Sequence, residues 1–186
     1  MATQKLINKK FTQLGNICVT ASYGIVIEYF SKGKIKIEHV LGRYVDRFDV
    51  FPDSSKVYYF REKHELICDH FHRYCGKKNM RGFEFIKQLH EGNDLKTKDY
   101  CKIIDSKASL QIIDKQTIKS LKMILESHDA LAMILYQVNE NQYHAVTVGY
   151  DSINKRYFYK DPSKPTSNND DILSQKAITE YIIFSN

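Results

Sequence analysis

Cys18, His144 and Asp161 are the residues of this 186-residue chain whose types and settings fit chemistry best. Cys18 stands where the turn Gly15-Asn16 gives way to the apolar run Ile17 to Phe30. Within that run Cys18, Ala21, Ser22, Ile25, Val26 and Tyr29 recur at the spacing of one helical face, while Val19, Tyr23, Ile27 and Phe30 make the other face apolar too. A central, buried helix over 17–30 is expected, with Asn16 as its cap and its start at Cys18 or one residue earlier. The N-terminus of a helix presents unpaired N–H groups and about +0.5 of an elementary charge, which favours an anion. The thiolate is the nucleophilic form of cysteine. A packing role is the plain alternative, because free cysteine is among the most buried residue types.

Two later residues supply the partners a thiol nucleophile needs. Residues 143–150 and 156–160 alternate as strands around a polar turn near Ser152-Ile153, which makes them a hairpin. A symmetric closure pairs Tyr150 with Lys155 and sets His144 directly opposite Asp161, Val146 opposite Tyr159 and Val148 opposite Tyr157. Directly opposed residues have Cβ atoms about 4.5–5.5 Å apart. A carboxylate at that range fixes the tautomer of an imidazole and stabilises it once protonated. A one-residue change in closure would move the two groups to opposite faces.

Gln13-Leu14-Gly15-Asn16-Ile17-Cys18 with Ala21-Ser22, then His144-Ala145-Val146-Thr147-Val148-Gly149-Tyr150-Asp151, then Tyr157-Phe158-Tyr159-Lys160-Asp161-Pro162, together resemble the papain-like cysteine peptidases. The likeness is greatest to the compact bacterial branch that holds the bacteriocin leader-processing peptidases, and it covers roughly 40 residues in two blocks. It implies that Cys18 is the nucleophile, His144 the general base and acid, and Asp161 the orienter of His144. The side-chain amide of Gln13 with the backbone N–H of Cys18 would form the oxyanion hole. It implies a protein or peptide substrate and hydrolysis of an amide bond. Asn16-Ile17-Cys18-Val19 replaces the acidic-Cys-Gly run of the leader peptidases, and Gln13 stands one residue nearer the cysteine than is common. The order Cys, His, Asp is shared with transglutaminase-like enzymes and some glutamine deamidases. A catalytically silent papain-fold binding module is the remaining alternative.

A second grouping competes. His64, Cys68, His72 and Cys75 fall on one face of an expected helix over 56–75, and sulfur with imidazole suits zinc. One helix cannot wrap four ligands around an ion, since positions 64 and 75 lie about 16 Å apart along its axis. Core contacts are the expectation for Cys68 and Cys75, and no metal or cofactor is expected. Tyr157 and Tyr159 share the His144 face in the assumed register and are expected to pack the sheet. Lys160 points to the opposite face, away from the chemistry.

The elements that must position these groups follow from the rest of the chain. A short strand is expected at 34–37, a helix at 82–90 and strands at 100–104 and 109–113. Asp114 then caps a helix over 115–127, followed by strands at 130–138, 143–150, 156–160 and 181–184. Helices first and an antiparallel sheet afterwards make an α+β fold, in the resemblance a papain-like one: a nucleophile helix packed on a C-terminal sheet, in one domain spanning 1–186. Residues 31–108 match no named pattern. The chain carries a net charge of +6, concentrated in residues 1–90, where 16 Lys/Arg face 9 Asp/Glu. The basic runs are short and carry no nucleic-acid signature, so they are expected to be a solvated face rather than an RNA or DNA surface. No apolar run approaches the ~20 residues of a membrane span. Met1 to Lys10 lacks the apolar stretch of a secretory signal, so the expectation is a cytoplasmic protein, or one exported without a cleavable signal such as an injected effector. The four cysteines are then expected to be reduced thiols.

Overall fold

A computed structural model describes residues 18–34, 82–90, 107–112, 115–140, 142–164 and 167–186. In chain order they form α1 (Cys18–Phe30), α2 (Gly82–His90), β1 (Lys107–Ile112), α3 (Lys115–Ser127), β2 (Ala130–Asn139), β3 (Gln142–Asp151), β4 (Arg156–Lys160), α4 (Ile172–Gln175) and β5 (Ile178–Ser185). The architecture is α+β. The five strands make one sheet of order β1-β5-β2-β3-β4, and every pairing is antiparallel. The expected helix over 56–75, the strand at 100–104, the caps Asn16 and Asp114, residues 35–37 of the short strand, and Gln13 lie outside the described residues.

Helix α1 starts at Cys18 and is buried from Thr20 through Phe30. That burial explains why its sequence carries no polar stripe: a helix enclosed on every side has no face to give to water. It ends where Lys32 N–H bonds to Tyr29 O (2.9 Å) and Gly33 N–H to Glu28 O (2.8 Å). Lys32 (φ 54°) and Gly33 (φ 77°) take the left-handed conformation that this type of C-cap requires.

Both faces of the sheet are covered. On one, Ala132, Ile134, Val146, Val148, Tyr181 and Ile183 pack with Leu121 and Leu125 of α3 and Ile172 and Leu173 of α4. The residues between them serve the other face, where α1 lies against β3. There Tyr23 of α1 and His90 of α2 both pack on Phe184 of β5, with ring centroids 6.1 and 5.0 Å away. This two-sided burial accounts for the unbroken apolar run of β2, whose residues Ala130 to Ile134 are all buried. No helix among the described residues is long and apolar enough to cross a membrane.

The β3–β4 hairpin differs from the expected closure. Asp151 pairs with Arg156, Tyr150 with Tyr157, Val148 with Tyr159 and Thr147 with Lys160, two residues from the symmetric register. The cause is the Asp151 side chain. Its Oδ1 accepts Ile153 N–H (3.1 Å) and Asn154 N–H (3.3 Å), and its Oδ2 accepts Asn154 Nδ2–H (2.7 Å), which builds a four-residue turn over 152–155. A shift of two residues keeps every side chain on its face.

Phe158, fully buried, lies across from Gly149, where it fills the space a side chain would need. A Cβ on Gly149 would sit 2.5 Å from Phe158 Cζ and 2.8 Å from Leu131 Cδ2. Gly149→Ala is expected to lower unfolding stability by about 1–3 kcal/mol through overpacking, read as a lower denaturant midpoint with an unchanged slope.

Candidate active site

Two buried hydrogen bonds join α1 to β3. Ser22 Oγ–H donates to Ala145 O, and Thr147 Oγ1–H donates to Ser22 O, each at 3.1 Å. Ser22 and Thr147 are both wholly buried, so each bond is formed out of reach of water. Cys18 lies one helical turn before Ser22, and His144 lies one residue before Ala145. The clasp therefore brings the first residue of the helix to the start of the strand. Cys18 is half-buried, free of any disulfide, and near enough to the imidazole of His144 to raise its pKa.

Asp161 reaches the same ring from the other side. Its Oδ1 lies 2.8 Å from His144 Nε2. The ladder ends at Thr147 and Lys160, and one further step would set Asp161 opposite Val146 rather than His144. The contact is therefore diagonal, across one position of the sheet face, in place of the direct opposition expected from a symmetric turn. With Nε2 engaged by the carboxylate, Nδ1 is the ring nitrogen left for the sulfur.

Residues 160–164 hold Asp161 in place. Its Oδ1 also accepts Ser163 N–H (2.9 Å) and Ser163 Oγ–H (2.6 Å). Its own carbonyl accepts Lys164 N–H (3.0 Å), and Lys160 Nζ, on a side chain only 1% exposed, donates to Lys164 O (2.7 Å). Lys160 takes part by closing this turn, from the face turned away from His144.

The electrostatics follow from these contacts. Burial opposes charge on His144, but its hydrogen bonds to Asp161 and Cys18 and the charges of the same two groups outweigh that cost and raise its pKa to about 9. Burial likewise opposes ionisation of Asp161, and the hydrogen bonds from His144 and Ser163 outweigh it, lowering its pKa to about 2. At neutral pH the pair is an imidazolium and a carboxylate, 18% and 7% exposed.

Of the four residues singled out in the sequence, Cys18, His144 and Asp161 come together, and Gln13 lies outside the described residues. Tyr157 packs away from the ring: its hydroxyl donates to Glu126 of α3, and Lys122 Nζ lies 5.1 Å above it. Tyr159 pairs with Val148, and its backbone bonds to Asn168 in both directions. Two further residues belong to the site. Ser163 was visible as the third residue of Asp161-Pro162-Ser163, a spacing at which an aspartate accepts the N–H two residues on. Tyr136 lies directly across from His144 on β2, a pairing obtained by closing the 130–150 hairpin about the polar triplet Asn139-Glu140-Asn141.

Among the described residues no three His, Cys, Asp or Glu side chains gather as metal ligands, and His64, Cys68, His72 and Cys75 lie outside them. No protein-family model and no curated protein sequence matches the chain.

The His144–Asp161 bond predicts a pH signature. A histidine raised from 6.5 to about 9 contributes stability that is complete below pH 6.5 and lost as pH climbs through about 9. An aspartate lowered from 3.8 to about 2 contributes stability present above pH 3.8 and lost as pH falls through about 2. Thermal melts of the wild type should therefore decline between pH 6.5 and about 9, and Asp161→Asn should flatten that decline. At neutral pH Asp161→Ala should cost about 1.5–3 kcal/mol, the range for a hydrogen bond between charged groups.

Proposed function

We propose that this protein is a papain-like cysteine hydrolase that cleaves an amide bond of a protein or peptide. The observation that carries the reading is one imidazole bound at Nε2 by a buried carboxylate, beside a free cysteine at the first residue of a buried helix whose hydrogen bond and charge act on that imidazole. The resemblance of the segments around Cys18, His144 and Asp161 to that family supports the same assignment of roles.

In this reading the proton that makes His144 an imidazolium at neutral pH is the one Cys18 has given up, and the thiolate paired with that imidazolium attacks the carbonyl carbon of the substrate amide. The carbonyl π electrons move to oxygen and give a tetrahedral oxyanion, stabilised by the backbone N–H of Cys18 and the side-chain amide of Gln13. As the intermediate collapses, the C–N bond breaks and the imidazolium protonates the departing amine. A thioester on Cys18 remains. Water then attacks it with His144 as base, releasing the carboxylic acid and the thiol. Asp161 keeps the ring oriented and stays ionised throughout, as its lowered pKa supports.

The test is direct. Cys18 should react with iodoacetamide at about pH 6–7, where an ordinary thiol is almost wholly protonated, and His144→Ala should slow it to the rate of a free thiol. Labelling of the wild type no faster than a free thiol would overturn the hydrolase and favour a silent binding module. On a peptide pool, Cys18→Ala should lower the appearance of new amino termini by roughly 10⁴-fold or more, and Asp161→Ala should cost less than His144→Ala. Ammonia release without new termini would assign the same three residues to a glutamine deamidase or transglutaminase instead.

A further inference from the structure

We infer that Tyr136 is a positioning residue for His144: its ring holds the imidazole in the plane that meets both Asp161 and Cys18, and it stabilises that imidazole in its protonated form. The inference deepens the proposed function and rests on it for the role of His144.

Three observations carry it. Tyr136 and His144 are direct partners across β2 and β3, so the backbones bring their Cβ atoms together whatever the side chains do. Their rings then meet edge to face, with centroids 5.7 Å apart and planes at 84°. This is within the roughly 6 Å at which a cation is drawn to an aromatic ring. Tyr136 is only 9% exposed, so the contact is largely shielded from water, where such an attraction is strongest. The position of Tyr136 is itself fixed on both sides: it pairs with His144 on β3 and with Ile178 on β5, next to an irregularity between Leu135 and Tyr136.

The charged and titratable groups around this pair come from every neighbouring element. Cys18 of α1 and Asp161 after β4 face the imidazole. Asp161, Tyr159 of β4 and Cys18 act on the phenol, and Lys176, which precedes β5, sets its Nζ 5.8 Å from the phenol ring centroid. Burial and the neighbouring negative groups push the Tyr136 phenol up to about 12, so it remains neutral while His144 titrates. A change seen in the His144 titration therefore reports the aromatic ring rather than a phenolate.

The experiment follows the ring protons of His144 by NMR against pH in the wild type, Tyr136→Phe and Tyr136→Leu, with the pH profile of Cys18 alkylation alongside. Tyr136→Phe keeps the aromatic face and should leave the His144 midpoint where it is. Tyr136→Leu keeps an apolar neighbour without a ring and should lower the midpoint by about half a pH unit. The alkaline limb of alkylation should move by the same amount. Tyr136→Met makes the same comparison if the leucine variant does not fold. A leucine or methionine variant that titrates like the wild type would overturn the inference, and so would a phenylalanine variant that shifts as far as leucine. The NMR titration does not depend on turnover, so it separates failure of this inference from failure of the hydrolase reading.

Discussion

The pair of bonds between Ser22 and strand β3 is the constraint on which the site depends. A buried helix can slide or rotate against a sheet with little change in apolar burial, because the hydrophobic effect has no direction. Hydrogen bonds have direction, and leaving a buried donor unpaired costs about 1–3 kcal/mol. Ser22 donating to Ala145 O, and Thr147 donating to Ser22 O, fix both the axial position and the rotation of α1. Once those are fixed, the helix start has one place to be, beside the imidazole of the residue preceding Ala145. Apolar packing makes the helix stable, and two hydroxyl groups decide where its first residue falls.

The carboxylate side of the site is built on a different principle. Asp161 lies beyond the last ladder pair, where a sheet alone would not hold it. A turn holds it instead, through Ser163 on its side chain, Lys164 on its carbonyl and the Lys160 ammonium on Lys164 O. A short bonded loop of this kind sets the carboxylate without depending on strand pairing at the sheet edge. The site therefore draws its two fixed points from a helix–strand clasp and a self-bonded turn.

Much of this was legible in the sequence, and the reason differs from element to element. Helices at 82–90 and 115–127 appear with their expected bounds, and α1 starts at Cys18, because periodicity and turn residues mark such boundaries locally. The shared face of His144 and Asp161 was legible because a sheet alternates with period two. The direct opposition of the two was not. It depended on how Asp151 would use its carboxylate, and a side chain that can bond to two successive N–H groups lengthens a turn in a way that polarity alone does not reveal. The displacement was even, so the face survived and only the diagonal was new. Tyr157 and Tyr159 lie on that face as expected, but the ring that meets His144 comes from β2, through the pairing of Tyr136 with His144. The clasp is not legible in the sequence, because Ser22 and Thr147 look like interruptions in apolar runs until the two segments are laid together.

The burial of α1 also sets an order of events during synthesis. From Thr20 onward it has no solvent-facing side, so it gains little by forming before its neighbours exist. Those neighbours include β3, whose residues leave the ribosome more than a hundred positions after Cys18. Contacts so distant in sequence form late, because long loops must close before they are rewarded. The nascent chain thus carries an unassembled cysteine until its last third is made. A site that joins Cys18 to residues of the last third is put together only once those residues have been made.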